Sequence, residues 1–158
     1  MTTLNIIELL VSAIIVDTVI GYYLLITNKG GRYIKEWYKM FTIGAYSMDI
    51  LSIIFATYLS VLLTDNIYKQ ILLVICIGLI HDITFGYFVK NSKTKSKIIH
   101  LFKNYANELG ITILIVDALM LISTLLLAYF MNKYIERDVI VLIGIIVFYI
   151  GLLMIYSF

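Results

Sequence analysis

Apolar and polar positions in this chain segregate on the scale of whole helices. Five apolar runs, approximately 4–27, 41–63, 67–89, 110–132 and 138–157, are separated by short segments that hold most of the charge. Each run is long enough to cross a hydrocarbon core at 1.5 Å rise per residue. None shows the alternation of a barrel strand, so helices are the spanning structure that satisfies the backbone in lipid. The pattern predicts an all-α membrane protein, a single domain over 1–158 built as a five-helix transmembrane bundle.

Two connecting segments carry a second pattern. Ile34, Trp37, Tyr38 and Phe41 recur at helical spacing among charges, as do Ile98, Phe102, Tyr105 and Leu109. This periodicity predicts short amphipathic helices at headgroup level, although aromatic anchors at helix ends give the same spacing.

Composition agrees with a membrane class. Hydrophobic residues make up 62% of the 158 positions and charged residues 14%, and mean hydropathy is +1.00. A soluble domain carries about 25% charged residues. Proline is absent, which suits unbroken helices. The lone Cys76 leaves no intramolecular disulfide to form, and the first run lacks the basic start of a cleavable signal.

Charge placement sets the expected orientation. Lys29, Arg32, Lys35 and Lys39 follow the first run; Lys90, Lys93, Lys95, Lys97 and Lys103 follow the third. The other two connections are nearly neutral. The positive-inside rule then places both basic segments and the C-terminus in the cytosol, with the N-terminus opposite. A net charge of +2 gives no reason to expect nucleic-acid binding. Lys29, Arg32, Lys35, Lys39, Lys93, Lys95, Lys97 and Lys103, with Trp37, are expected to meet the membrane surface or a protein partner.

Candidate chemistry lies within the runs. Asp17, Asp49, Asp82 and Asp117 each interrupt a different one. A carboxylate at the bilayer centre costs roughly 3 kcal/mol on insertion scales. Counted from the basic end, all four lie roughly 10–15 Å deep, so one layer can hold them. Small and polar residues share their faces: Ala13 and Gly21; Thr42, Ala45, Ser52, Ala56 and Ser60; Gly78 and Gly86; Gly110, Thr124 and Ala128. Such stripes let helices approach closely, which points the acids toward protein. His81 adjoins Asp82 but lies about 100° around the helix, so no face-to-face pair is expected. Asp17, Asp49, His81, Asp82 and Asp117 thus form a candidate interhelical polar site or a proton or cation site. No second histidine or cysteine stands in register for zinc, and magnesium or manganese on carboxylates has no supporting motif. No cofactor is expected, and no phosphate loop, nucleophile elbow or zinc-protease helix suggests an enzyme.

An internal repeat emerges when the acids are aligned. Asp17-Thr-Val-Ile-Gly21-Tyr22 matches Asp82-Ile-Thr-Phe-Gly86-Tyr87, and each precedes a basic segment and a second acid-bearing helix. Residues 4–63 and 67–132 would then be parallel copies of a two-helix hairpin. The fifth helix has Gly144 and Gly151 but no acid, and is expected at the periphery or between subunits.

The stretches Gly78-Leu-Ile-His81-Asp82-Ile-Thr-Phe-Gly-Tyr-Phe, Leu101-Phe-Lys-Asn-Tyr-Ala-Asn-Glu108-Leu-Gly110 and Val116-Asp117-Ala-Leu, with Trp37-Tyr38 and Tyr156-Ser157-Phe158, resemble an uncharacterised multi-pass membrane protein family of giant DNA viruses. Asn107-Glu108-Leu departs from the Lys-Glu-Val of that pattern. The resemblance implies a structural protein of the virion inner membrane, derived from host membrane. Its basic segments, 28–40 and 90–109, would face minor capsid proteins as well as anionic headgroups. A homo-oligomer is expected. The alternative is a proton or cation channel or transporter that uses the four aspartates.

Overall fold

In the computed structural model, which describes residues 4–157, the chain forms seven helices and no strand among those residues. Five are long and apolar enough to cross a membrane: α1 (Ile6–Ile26), α3 (Ile43–Leu63), α4 (Ile67–Asn91), α6 (Ile111–Tyr134) and α7 (Arg137–Ile155). Their limits fall within about two residues of the apolar runs. The protein is thus all-α and compatible with an integral multi-pass membrane protein. Phe158 lies outside the described residues.

The two amphipathic segments form separate helices, α2 (Gly31–Phe41) and α5 (Lys97–Leu109). They share one end of the bundle and pack against each other. Local chemistry fixes several helix limits. Asn66 caps α4, its side-chain oxygen accepting from the amides of Tyr68 and Lys69 at 3.0 and 3.2 Å. At the start of α1 the Glu8 carboxylate accepts the Asn5 amide at 2.8 Å.

The turns from α2 into α3 and from α5 into α6 are nearly identical. Thr42 adopts φ 46°, ψ −123°, and Gly110 adopts φ 53°, ψ −127°. This region suits glycine and strains a β-branched residue. In each case the intramembrane aspartate, Asp49 or Asp117, follows seven residues later.

α1 is the axis of the bundle, packed between α7, α6 and α3. It has buried positions all round, which explains why its sequence is apolar on every side. Further contacts join α3 to α4, α4 to α6 and α3 to α6, so α1, α3, α4 and α6 enclose the core. α7 lies outside this group against α1. Its two glycines serve contacts within the chain. A Cβ on Gly144 would stand 2.7 Å from Val11, and one on Gly151 would overlap the Tyr46 hydroxyl, which shares a 2.6 Å hydrogen bond with Thr18.

Some expected interface positions are open. Ser52 is exposed and bonds its own helix through the Asp49 carbonyl, and a Cβ on Gly86 or Gly110 would meet nothing within 4 Å. In α3 the buried face instead includes Tyr46, Ile50, Ile53 and Thr57 beside Ala45, Ala56 and Ser60. Small size alone therefore did not mark the interface. Gly78 is the exception on α4, packed beneath Leu121 of α6.

Candidate functional site

The four intramembrane aspartates differ sharply in surroundings. Asp17 is 1% exposed and its Oδ2 has no hydrogen-bond partner among the described residues. It faces Asp49 of α3 and Asp117 of α6 within electrostatic range, and Asp117 in turn faces Asp82 of α4. The four helices thus bring their acids into one linked group. They do not form a chelating cluster: among the described residues no three histidine, cysteine or acidic side chains stand close enough to share a metal ion.

Asp49 is held from above by α2. The Trp37 indole donates to its Oδ2 at 3.2 Å and the Tyr38 hydroxyl donates to the same oxygen at 2.9 Å. The i, i+1 pair reaches one oxygen because α2 lies across the end of α3, separated from it only by the turn at Thr42. Both donors are buried, so Trp37 is a protein contact here and not the surface anchor that its sequence position suggested. Its ring packs 4.9 Å from Phe41 and 5.0 Å from Phe102, and Phe102 meets Phe85 edge-on at 5.1 Å. This aromatic group joins α2, α4 and α5 over the acids.

Tyr38 and Tyr105 complete the cover. Burial and the neighbouring carboxylates, Asp17 and Asp49 for Tyr38 and Asp117 and Asp49 for Tyr105, hold both phenols above the ordinary tyrosine pKa. Both therefore remain hydroxyls that can donate, placed between the acid group and the basic end of the molecule.

Asp82 and His81 contradict the expectation that adjacency keeps them apart. His81 Nδ1 lies 3.0 Å from Asp82 Oδ1, so neighbouring side chains on one helix meet despite the rotation between them. The His81 side chain is 57% exposed and stacks on Phe85, so it is no interhelical ligand.

Glu108 had no contact assigned to it from the sequence. Its carboxylate accepts the backbone amides of Arg32 and Tyr33 at 2.9 and 3.2 Å, across the first turn of α2. Helix N-termini favour such anions, since their first amides lack partners within the helix. The contact joins α5 to α2.

Around this pair the cations are displayed. Lys39, Lys93, Lys95 and Lys97 are exposed, Arg32 pairs with Glu36 at 2.8 Å, and Lys35 bonds Asn28 at 2.5 Å. Lys29 reaches the Tyr23 hydroxyl at 2.8 Å, which raises its pKa and keeps it charged. An open cleft of about 740 Å³ lies between α2 and the α4–α5 connection, lined by Lys93, Lys95, Lys97, Lys103, Glu36 and Met40 among others. Lys103 also donates to the Ser92 carbonyl at 3.2 Å, which ties α5 to the end of α4.

At the opposite end lies a polar group that the sequence did not single out. Gln70 is buried, accepts from the Tyr129 hydroxyl at 2.7 Å and donates to the Thr64 carbonyl at 2.6 Å. Its signal was a lone glutamine near the start of an apolar run. Comparison with protein-family models, curated proteins and solved structures finds no match for the chain.

Proposed function

We propose that this protein is a structural organiser of a membrane, and that its working surface is the joined α2–α5 pair. The observation that carries this reading is the double fastening of that pair. Glu108 holds the N-terminus of α2 to α5, and Trp37 and Tyr38 hold α2 to the bundle through Asp49. A helix that merely floated in the headgroup layer would need no such anchors. Fixed in this way, the pair presents Lys39 and Lys97 exposed, and the α4–α5 connection beside it adds Lys93 and Lys95. Lysines near an anionic leaflet contribute about 1 kcal/mol each. The cleft adds hydroxyls from Ser92, Thr94 and Ser96 beside its lysines, a donor set suited to phosphate headgroups.

With the basic face in the cytosol, this surface meets anionic lipid on one side and soluble protein on the other. In the giant-virus setting that the sequence resembles, that protein is a minor capsid component and the membrane is the virion inner layer. The matched turns at Thr42 and Gly110, each seven residues before an aspartate, support a duplicated helix–amphipathic helix–helix unit. Such a unit would supply both halves of the basic face.

Lysine-directed crosslinking in intact infected-cell membranes and purified virions tests the setting. The expected result is capsid-protein adducts on Lys39, Lys93, Lys95 or Lys97. Absence of the protein from virions overturns the capsid reading.

A further inference from the structure

The fastening of α2 and α5 uses Asp49 and leaves Asp17 unexplained. A carboxyl sealed from solvent with a bare oxygen calls for a proton or an internal water. A second sealed polar group lies on the helix opposite. Thr124 of α6 is 0% exposed, and its Oγ1 neither bonds back to its own helix nor finds another partner among the described residues. Asp117, Thr124 and Asn132 follow one another at steps of seven and eight residues, hence along one face of α6. At 1.5 Å per residue the steps are roughly 10 and 12 Å, distances that a few internal waters bridge. Asn132 extends this face toward the end of α6 remote from α2 and α5.

We propose that protons cross the bundle along this face of α6, with Asp17 as the carboxyl that holds them between the two ends. A proton arriving by water beside Thr124 binds the Asp17 carboxylate, passes to Asp49 or Asp117, and leaves by water at the basic end past Tyr38 and Tyr105. No bond other than O–H is made or broken. The groups facing Asp17 are Asp49 and Tyr46 from α3, Asp117 from α6 and Tyr38 from α2. α7 brings Gly151 and Met154 to this region and no charged group. Protons fit where metal ions do not, because the acids are linked without being close enough to chelate.

The test is proton uptake by liposomes containing the full-length chain, read from an enclosed pH-sensitive dye while a potassium diffusion potential is applied. The parent protein is expected to acidify the lumen, Asp17→Asn to fall to the level of empty liposomes, and Thr124→Val, which removes only the hydroxyl, to lose most of the flux. Ser123→Ala, on the exposed side of the same helix, is expected to match the parent. Trp37 emission reports whether each variant retains the packed cover. Flux in the parent that survives Thr124→Val in a folded protein overturns the route. No flux in the parent at any pH or voltage overturns the proposal, and leaves the organising role of the basic face untouched.

Discussion

The Glu108 carboxylate occupies the space that a side chain on Gly31 would fill. A Cβ built on Gly31 would lie 2.5 Å from Glu108 Oε2, and Gly31 has φ +75°, a conformation that favours glycine. The same carboxylate takes two amides of α2, so the missing side chain and the cap are one arrangement. Gly31→Ala is expected to displace Glu108 and free the first turn of α2. Hydrogen exchange at residues 31–41 checks this: faster exchange there, with α1 and α6 unchanged, is the expected outcome.

Asp49 is the second fastener, and its loss should be visible at Trp37, the single tryptophan of the chain. Asp49→Leu leaves the buried indole N–H and the Tyr38 hydroxyl unpaired, at about 1–3 kcal/mol for each group. Trp37 emission is expected to shift to the red as α2 loosens. Asp49→Asn retains an acceptor oxygen and should shift it less.

Thr42 carries a backbone conformation that its counterpart Gly110 accommodates freely. Strain of this kind costs on the order of 1–3 kcal/mol, partly offset by the greater unfolded freedom of glycine. Thr42→Gly is expected to raise the melting temperature by about 2–4 °C, the shift that ~1 kcal/mol produces at this size. Gly110→Thr should lower it. Equal effects of opposite sign at the two sites would also support the proposed duplication.

The apolar runs were long enough, and proline-free enough, for the five spanning helices and both amphipathic helices to be legible in the sequence. Depth counting gave Asp17, Asp49, Asp82 and Asp117 similar distances from the basic end, and in the structure Asp17 has Asp49 and Asp117 as electrostatic neighbours while Asp117 has Asp82. Facing direction was another matter. Ser52 and Gly86 fit a small-residue stripe, yet Ser52 is exposed and a Cβ on Gly86 would meet no neighbour. The bonds of Glu108 to α2 and of Gln70 to Tyr129 join residues far apart in the chain, which no local spacing encodes. Trp37 read as a surface anchor because its inward tilt depends on the turn at Thr42.

Alkaline pH supplies an independent reading of the cover. Tyr38 and Tyr105 hold their protons more tightly when folded than the ordinary value of 10.0. Their contribution to stability is therefore fully present below pH 10 and declines as pH rises above it, where the unfolded chain ionises first. Thermal melts of the parent should fall through this range, and the fall should be smaller in Tyr38→Phe. An identical decline in both proteins would show that Tyr38 is not held in this way.

The most direct measurement of the proposed role is lipid retention by the full-length chain, read by native mass spectrometry after release from detergent containing equal phosphatidylserine and phosphatidylcholine. The parent is expected to keep phosphatidylserine preferentially. A variant with Lys93, Lys95, Lys97 and Lys103 replaced by glutamine should lose that preference and remain folded. Equal retention of the two lipids by the parent, or a preference unchanged in the variant, would contradict a headgroup-binding face on α2 and α5.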